Sequence, residues 1–244
     1  MSTNARAAGT LGRHVRSVGF ELEGGIDFKD LEKLRRYVSV KGLSGAYSEG
    51  EEEGLKVGRK DDGNIEIRLW TRDLSVAAEF LDYAYMECKF STNYNCGFHV
   101  HMTFDDMVGA VELFSSPTVL GHFVDLYKER FSESKYFERL SNEWSGLAAN
   151  VSSEEHADGS YRPDYKRKAP INVGAFLKHG TIEFRILPFQ KTGAEAADSL
   201  RWIIETADML YGRYLGRVDD TKLTRDAVLA DIAFRGLNDL LRVM

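Results

Sequence analysis

The chain has 244 residues, of which 43% are hydrophobic and 29% charged, a composition typical of a globular protein with one large domain or two small ones. Its formal net charge of −6 argues against broad binding to nucleic acid. With two cysteines, no apolar run that would span a bilayer and no secretory signal, we expect a cytoplasmic protein that does not bind a membrane.

The first predicted element is a strand at 15–23, where apolar and polar residues alternate as in a half-buried strand. We expect residues 1–14 to form a flexible tail and residues 15–244 to form one domain, because strands and helices are interleaved without a linker. The pattern then predicts a helix at 27–38 capped by Asp27, a loop at 41–54, strands at 55–60 and 64–70, a helix at 73–90 capped by Asp73, and a strand at 97–104.

The second half of the chain continues this interleaving. It predicts helical structure at 106–140 with a break near Pro117, an irregular segment at 141–168, strands at 170–177 and 180–188, and helices at 194–214 and 221–242. Short strand–turn–strand pairs favour an α+β fold, in which a largely antiparallel, curved sheet carries its helices on one face.

Four of the predicted strands share one pattern of alternating apolar and polar residues. They are Phe20-Glu-Leu-Glu23, Ile65-Glu-Ile-Arg68, Phe98-His-Val-His101 and Ile182-Glu-Phe-Arg185. Because side chains alternate across a strand, one face of the sheet would be apolar and the other polar. The polar face would collect Glu21, Glu23, Glu66, Arg68, His99, His101, Glu183 and Arg185.

This mixture of side chains suits divalent metal and phosphate. Mg²⁺ and Mn²⁺ prefer carboxylate oxygens, Mn²⁺ also accepts imidazole, and arginine binds phosphate as a fixed fork. A single Glu-x-Glu or Glu-x-Arg strand is more typical of a solvated sheet face. Four such strands in one chain, one of them His-x-His, instead indicate a functional site.

Two loops leave alternatives open. The glutamates within 49–53 would either reach a metal from a lid or be solvated. The basic residues Arg162, Lys166, Arg167 and Lys168 would either clamp phosphates or form a solvated loop. The sequence has no Walker-type or dinucleotide-binding motif, so a nucleotide would have to bind through metal, sheet and arginines.

In their order along the chain, four short motifs resemble those of the amidoligase family, which is similar to glutamine synthetase and the glutamate–cysteine ligases. They are Gly19-Phe-Glu-Leu-Glu23, Asp62-Gly-Asn-Ile-Glu66, Asn95-Cys-Gly-Phe-His-Val-His101 and Gly180-Thr-Ile-Glu-Phe-Arg185. The resemblance spans about residues 17–190. It implies a fold like the catalytic domain of glutamine synthetase, a requirement for ATP and Mg²⁺ or Mn²⁺, and an amide bond formed through an acyl phosphate.

The resemblance also implies roles for single residues. The metal ligands would be Glu21, Glu23, Glu66, His99 and Glu183. The nucleotide would be bound by His101, Arg185 and Lys166. Catalysis would depend on Arg185, Glu66, Arg162 and Arg167. The substrates would be a carboxylate and an amine, either of them a small molecule, a peptide or a modified base. The sequence is compatible with an oligomer as well as with a monomer.

Three other functions are compatible with the same residues. A guanidino-type phosphotransferase would phosphorylate nitrogen without forming an amide, and a metal-dependent hydrolase with a His-x-His site would need no ATP. A non-catalytic binding module would keep the sheet without turnover.

Overall fold

A computed structural model describes residues 10–43, 56–59, 65–92, 96–131, 154–155, 161–162 and 169–221. Its strands are β1 (Val15–Gly24), β2 (Lys56–Arg59), β3 (Ile65–Thr71), β4 (Phe98–Phe104), β5 (Glu154–Glu155), β6 (Tyr161–Arg162), β7 (Ile171–Asn172) and β8 (Ile182–Phe184). Its helices are α1 (Phe28–Val40), α2 (Leu74–Met86), α3 (Met107–Ser115), α4 (Pro117–Phe131), α5 (Ala175–His179) and α6 (Gly193–Thr221).

Six of the described strands form one sheet in the order β2-β3-β1-β4-β8-β7, while β5 and β6 pair with each other. Every pairing in the sheet is antiparallel. The α+β class and the antiparallel sheet are therefore as the sequence predicts. The long strand β1 lies between β3 and β4, so the four strands with the alternating pattern are neighbours in the order β3-β1-β4-β8.

The apolar face of this sheet forms the core together with the helices. The ring of Phe20 on β1 contacts Phe80 on α2, with 5.8 Å between ring centroids. The ring of Phe184 on β8 contacts Phe114 on α3 and Phe123 on α4, at 5.2 and 5.6 Å. Since all these side chains are buried, helix packing occupies the apolar face and leaves the polar side chains on the other.

Local signals fix several helix ends. The Asp73 side chain accepts a hydrogen bond of 2.8 Å from the Ser75 N–H at the start of α2, as the sequence predicts for a cap. The predicted break near Pro117 is confirmed, since α3 ends at Ser115 and α4 begins at Pro117. Asp27 is the N-cap residue of α1, as predicted, and its backbone is extended, but its side chain makes no capping hydrogen bond.

The predicted strand at 170–177 is wrong in its second half. Strand β7 contains only Ile171 and Asn172, and residues 175–179 form the short helix α5. Gly180 ends this helix in the left-handed conformation, with φ of 68°, which a glycine adopts without steric cost. The strand predicted at 180–188 is correspondingly shortened to β8.

The predicted flexible tail is corrected at its end. Leu11 is 5% exposed and belongs to the hydrophobic core, and the backbone N–H of His14 donates a 2.6 Å hydrogen bond to Asp208 on α6. This segment is held because an apolar side chain is buried and a carboxylate accepts its backbone N–H. Residues 1–9, the acidic loop at 49–53 and all but the first residue of the helix predicted at 221–242 lie outside the described residues.

Among the described residues, no single helix has the length and apolar character needed to cross a membrane.

Candidate functional site

Strand register arranges the polar side chains in rows across the sheet. Glu21 on β1 lies opposite Arg68 on β3 and opposite His99 on β4. His101 on β4 lies opposite Glu183 on β8. Because side chains directly opposite each other in an antiparallel pair are about 5 Å apart, two carboxylates and two imidazoles converge on one area of the polar face.

This carboxylate–histidine cluster consists of Glu21, His99, His101 and Glu183. One potential ligand atom from each of Glu21, His101 and Glu183 lies within 4.8 Å of the other two. His101 Nε2 is 3.6 Å from Glu21 Oε1 and 4.0 Å from Glu183 Oε1. His99 Nδ1 is 3.4 Å from Glu21 Oε2 and 3.8 Å from Glu183 Oε1. Both histidines therefore face the gap between the two carboxylates.

The members of the cluster are buried or half-buried, unlike those of an ordinary solvated sheet face. The side chain of His99 is 3% exposed and that of Glu183 is 7% exposed. Nε2 of His99 and Nε2 of His101 are both buried, and neither has a hydrogen-bond partner among the described residues. Buried polar atoms are nearly always paired, so the unpartnered Nε2 of His101, beside the carboxylates of Glu21 and Glu183, completes a donor set that fits a cation.

The pKa shifts in the cluster favour ionised carboxylates and a neutral imidazole. Burial raises the pKa of Glu21, but the imidazoles of His101 and His99 next to its carboxylate outweigh this effect and hold the pKa below its usual range. Burial also raises the pKa of Glu183, but the lowering effects, of which the charge of Arg185 is the largest, bring it below its usual value. Burial lowers the pKa of His99, against the raising effect of Glu21. These are the protonation states that bind metal ions.

Two arginines border the cluster on opposite sides. Arg68 Nε lies 2.9 Å from Glu21 Oε1, and its guanidinium also pairs with Glu66. Arg185 pairs with Glu183 Oε1 and places Nη1 3.5 Å from His99 Nδ1. The two guanidinium groups compensate part of the negative charge and place N–H donors at the edge of the cluster, where they would reach an anionic ligand.

Two polar side chains behind the cluster were missed by sequence reasoning. The Asn172 amide on β7 donates a 2.7 Å hydrogen bond to Glu183 Oε2, and the Thr181 hydroxyl lies 3.0 Å from His101 Nδ1. Both residues are buried. Thr181 has the same strand parity as Glu183, which was the one available signal, whereas the pairing of Asn172 with Glu183 depends on a register that local sequence does not contain.

Other predicted site residues lie outside the cluster. Glu23 is opposite Glu66, one row further along the strands. Glu23 Oε2 accepts a 2.7 Å hydrogen bond from the Gly97 N–H, and Glu66 pairs with Arg68. Arg162 lies in β6, but the position of its side chain is not described, and Lys166 and Arg167 lie outside the described residues.

The site can also be compared with known proteins. No protein-family model, curated protein or solved structure matches the chain. The fold and the site define an α+β protein with a largely buried carboxylate–histidine cluster on the polar face of an antiparallel sheet.

Proposed function

We propose that the chain is an ATP- and divalent-metal-dependent carboxylate–amine ligase, which forms an amide bond through an acyl phosphate. The observation that carries the proposal is the convergence of Glu21, His101 and Glu183 within 4.8 Å, beside the guanidinium of Arg185. It is also supported by the resemblance to the amidoligase family, whose four motifs are carried by the adjacent strands β3, β1, β4 and β8. We also propose that the sheet is like that of the glutamine synthetase catalytic domain.

The cluster would hold Mg²⁺ or Mn²⁺. Glu21 and Glu183 would supply carboxylate oxygens, and the histidines would supply imidazole nitrogen, which Mn²⁺ accepts more readily than Mg²⁺. Glu23 and Glu66, opposite each other in the next row, would supply oxygens for a second ion. When bound, such ions neutralise the charge of the phosphates during transfer.

The arginines would bind the phosphates of ATP. Arg185 lies at the cluster on the β8 side and Arg68 on the β3 side, so a phosphoryl group above the cluster would lie between two guanidinium groups. Such groups stabilise charge on the transferring phosphoryl. Arg162, Lys166 and Arg167 stay predictions from the sequence for the same role.

The proposed reaction has two steps. An oxygen of the substrate carboxylate attacks the γ-phosphorus of ATP, the bond to the bridging oxygen breaks, and ADP leaves. The nitrogen of the amine then attacks the acyl carbon, and inorganic phosphate leaves with its oxygen. The nitrogen loses a proton in this step, and the carboxylate of Glu66, which lies one row from the cluster and pairs with Arg68, is the proposed acceptor.

Trapping with hydroxylamine tests this function directly. Hydroxylamine is a small amine that converts an acyl phosphate into a hydroxamate, which is measured by its coloured iron complex. The protein is incubated with ATP, Mg²⁺ or Mn²⁺, hydroxylamine and a panel of carboxylic acids. We expect hydroxamate and free phosphate in equal amounts with the correct acid, and neither product from Glu183→Gln. The exposed variant Glu129→Gln on α4 is the matched control.

The other outcomes separate the alternative functions. A phosphorylated amine without hydroxamate would identify a phosphotransferase. Metal-dependent cleavage of an ester or amide without ATP would identify a hydrolase. Metal binding without turnover of any acid would leave a binding module, and the ligase proposal would then be wrong.

A further inference from the structure

We propose that Arg68 is an internal counter-ion of the metal-binding carboxylates. A divalent ion displaces its guanidinium, which then binds a tetrahedral oxyanion such as the terminal phosphate of a nucleotide. The inference rests on the proposed function, because it assigns how metal binding and anion binding at that site depend on each other.

The guanidinium of Arg68 spans two rows of carboxylates. Arg68 on β3 lies opposite Glu21 on β1, and its Nε is 2.9 Å from Glu21 Oε1. Its Nη2 pairs with Oε1 of Glu66, which is two residues earlier on the same strand and one row further along the sheet. One side chain therefore contacts an oxygen of each proposed metal site.

Arg68 and a metal ion would use the same oxygen of Glu21. Glu21 Oε1 is 3.6 Å from Nε2 of His101, and both residues belong to the set whose ligand atoms converge within 4.8 Å. Because Mg²⁺ binds oxygen at about 2.1 Å, an ion on Oε1 would lie no more than about 5 Å from the Nε of Arg68. Two positive charges this close in a partly buried site repel each other, so binding of the ion favours departure of the guanidinium.

Arg68 has more freedom to move than the second arginine of the site. Its side chain is 33% exposed, whereas that of Arg185 is 11% exposed and contacts both Glu183 and His99. Rotation of the long arginine stem moves the guanidinium towards solvent, while the β3 backbone keeps it beside the cluster. Its planar fork of N–H donors then matches the oxygens of a phosphate or sulfate group next to the metal.

The two binding events are thermodynamically coupled. A metal ion that releases Arg68 raises the affinity for the anion, and an anion that binds the released guanidinium raises the affinity for the metal by the same factor. If Arg68 instead held Glu21 in place for the metal, its removal would weaken metal binding. The sign of the change in metal affinity therefore distinguishes displacement from positioning.

Calorimetric titration of Mn²⁺ into the wild type, Arg68→Met and Arg68→Lys measures this sign. We expect Arg68→Met to bind Mn²⁺ about tenfold more tightly, since one charge-assisted contact no longer competes with the ion. Arg68→Lys keeps the charge but lacks the fork that bridges two carboxylates, so its affinity should rise by about threefold. Arg68→Lys also carries the test if circular dichroism shows that Arg68→Met does not fold.

The matched control is Arg35→Met on α1. Its Nη1 lies 2.9 Å from Glu32 Oε1, so this variant also removes one positive charge from an ion pair of equal length. Its affinity for Mn²⁺ should equal that of the wild type.

A second pair of titrations tests the anion. The affinity for Mn²⁺ is measured in sulfate and in chloride at equal ionic strength, since sulfate is tetrahedral like a phosphoryl group. We expect sulfate to raise the affinity of the wild type by about fivefold or more and to leave that of Arg68→Met without this gain. Association of sulfate with Mn²⁺ in solution is the same for both proteins, so their difference reports Arg68.

Three results would overturn the inference. They are Mn²⁺ affinities of the Arg68 variants equal to or below that of the wild type, an equal gain in Arg35→Met, and an equal effect of sulfate on the wild type and Arg68→Met. In these cases Mn²⁺ still binds, so the metal site of the proposed function stands. If Mn²⁺ binds neither to the wild type nor to the Arg68 variants, the metal site is itself wrong.

Discussion

The Asn172 amide donates a 2.7 Å hydrogen bond to Glu183 Oε2, while the other oxygen of that carboxylate, Oε1, faces His99 and His101. Asn172 thus determines which oxygen of Glu183 faces the other members of the carboxylate–histidine cluster. Partners of this kind orient metal ligands without contacting the metal.

Replacement of Asn172 by leucine therefore tests how far the cluster depends on this bond. The variant leaves a buried carboxylate oxygen without its donor, so we expect Mn²⁺ affinity to fall by about 10–100-fold and stability by about 1–3 kcal/mol. Calorimetry and urea unfolding measure the two effects. Ser199→Ala, which removes the buried 3.2 Å hydrogen bond to Gln190 Oε1 away from the site, is the control and should leave Mn²⁺ affinity unchanged. Equal Mn²⁺ affinity in the Asn172 and Ser199 variants would show that Asn172 does not position Glu183 for metal binding.

Thr181 is expected to orient His101. Its hydroxyl lies 3.0 Å from His101 Nδ1, so the ring presents Nε2 to Glu21 and Glu183. Thr181→Val keeps the shape but loses the hydroxyl, and Mn²⁺ affinity should fall by about tenfold or more. Thr181→Ser keeps the hydroxyl and should keep most of the affinity. A serine variant as weak as the valine variant would show that packing, and not the hydrogen bond, is what matters.

The cluster should make the metal-free protein sensitive to acid. The pKa values of His99, Glu21 and Glu183 are lowered in the folded state, so the unfolded chain binds more protons as the pH falls. Their stabilising effect is complete above the unfolded values and is lost on acidification, first below 6.5 for His99 and then below 4.5 for the glutamates.

Urea unfolding in the presence of a chelator, from pH 8 to pH 4, checks this expectation. The free energy of unfolding should already decline between pH 6.5 and pH 4.5. His99→Gln should flatten that part of the curve, because the buried imidazole is then absent. A wild-type curve that stays level over this range would contradict the assignment of a neutral, buried His99.

The N-terminal segment should contribute to stability through Leu11. This side chain is 5% exposed within the core, so Leu11→Ala is expected to cost about 2–5 kcal/mol. The control is Val40→Ala at the end of α1, where the side chain is 80% exposed and the cost should be below about 0.5 kcal/mol. Thermal or urea unfolding distinguishes the two, and similar small losses would mean that the segment is not anchored.

The sequence predicts which residues lie on the polar face, but not the strand register that brings them together. The alternation in Phe20-Glu-Leu-Glu23 and Phe98-His-Val-His101 is enough to assign strands and faces, because side chains in a strand alternate with a period of two. The register that brings Glu21 opposite His99 and His101 opposite Glu183 is non-local. The resemblance places His101 at the nucleotide, whereas the structure places its Nε2 beside the same two carboxylates as His99.

The sequence fails where few residues carry the signal. Helix α5 has five residues, too few for a helical period to stand out from a strand pattern, and the cost-free left-handed turn at Gly180 is as typical of a hairpin as of a helix end. Leu11 is a single apolar residue in a polar segment, so nothing local shows that it reaches the core. Asn172 and Thr181 are part of the site only because they contact Glu183 and His101, which lie on other strands.

The central claim is that the carboxylate–histidine cluster holds a divalent metal that carries ATP. Calorimetric titration of ATP, with and without Mn²⁺, into the wild type, Glu183→Gln and Glu129→Gln tests it most directly. We predict that ATP binds only with Mn²⁺, that Glu183→Gln weakens this binding by at least about 10–100-fold, and that Glu129→Gln does not. ATP binding that is independent of Mn²⁺, no ATP binding even with Mn²⁺, or equal binding by Glu183→Gln and the wild type would contradict the claim.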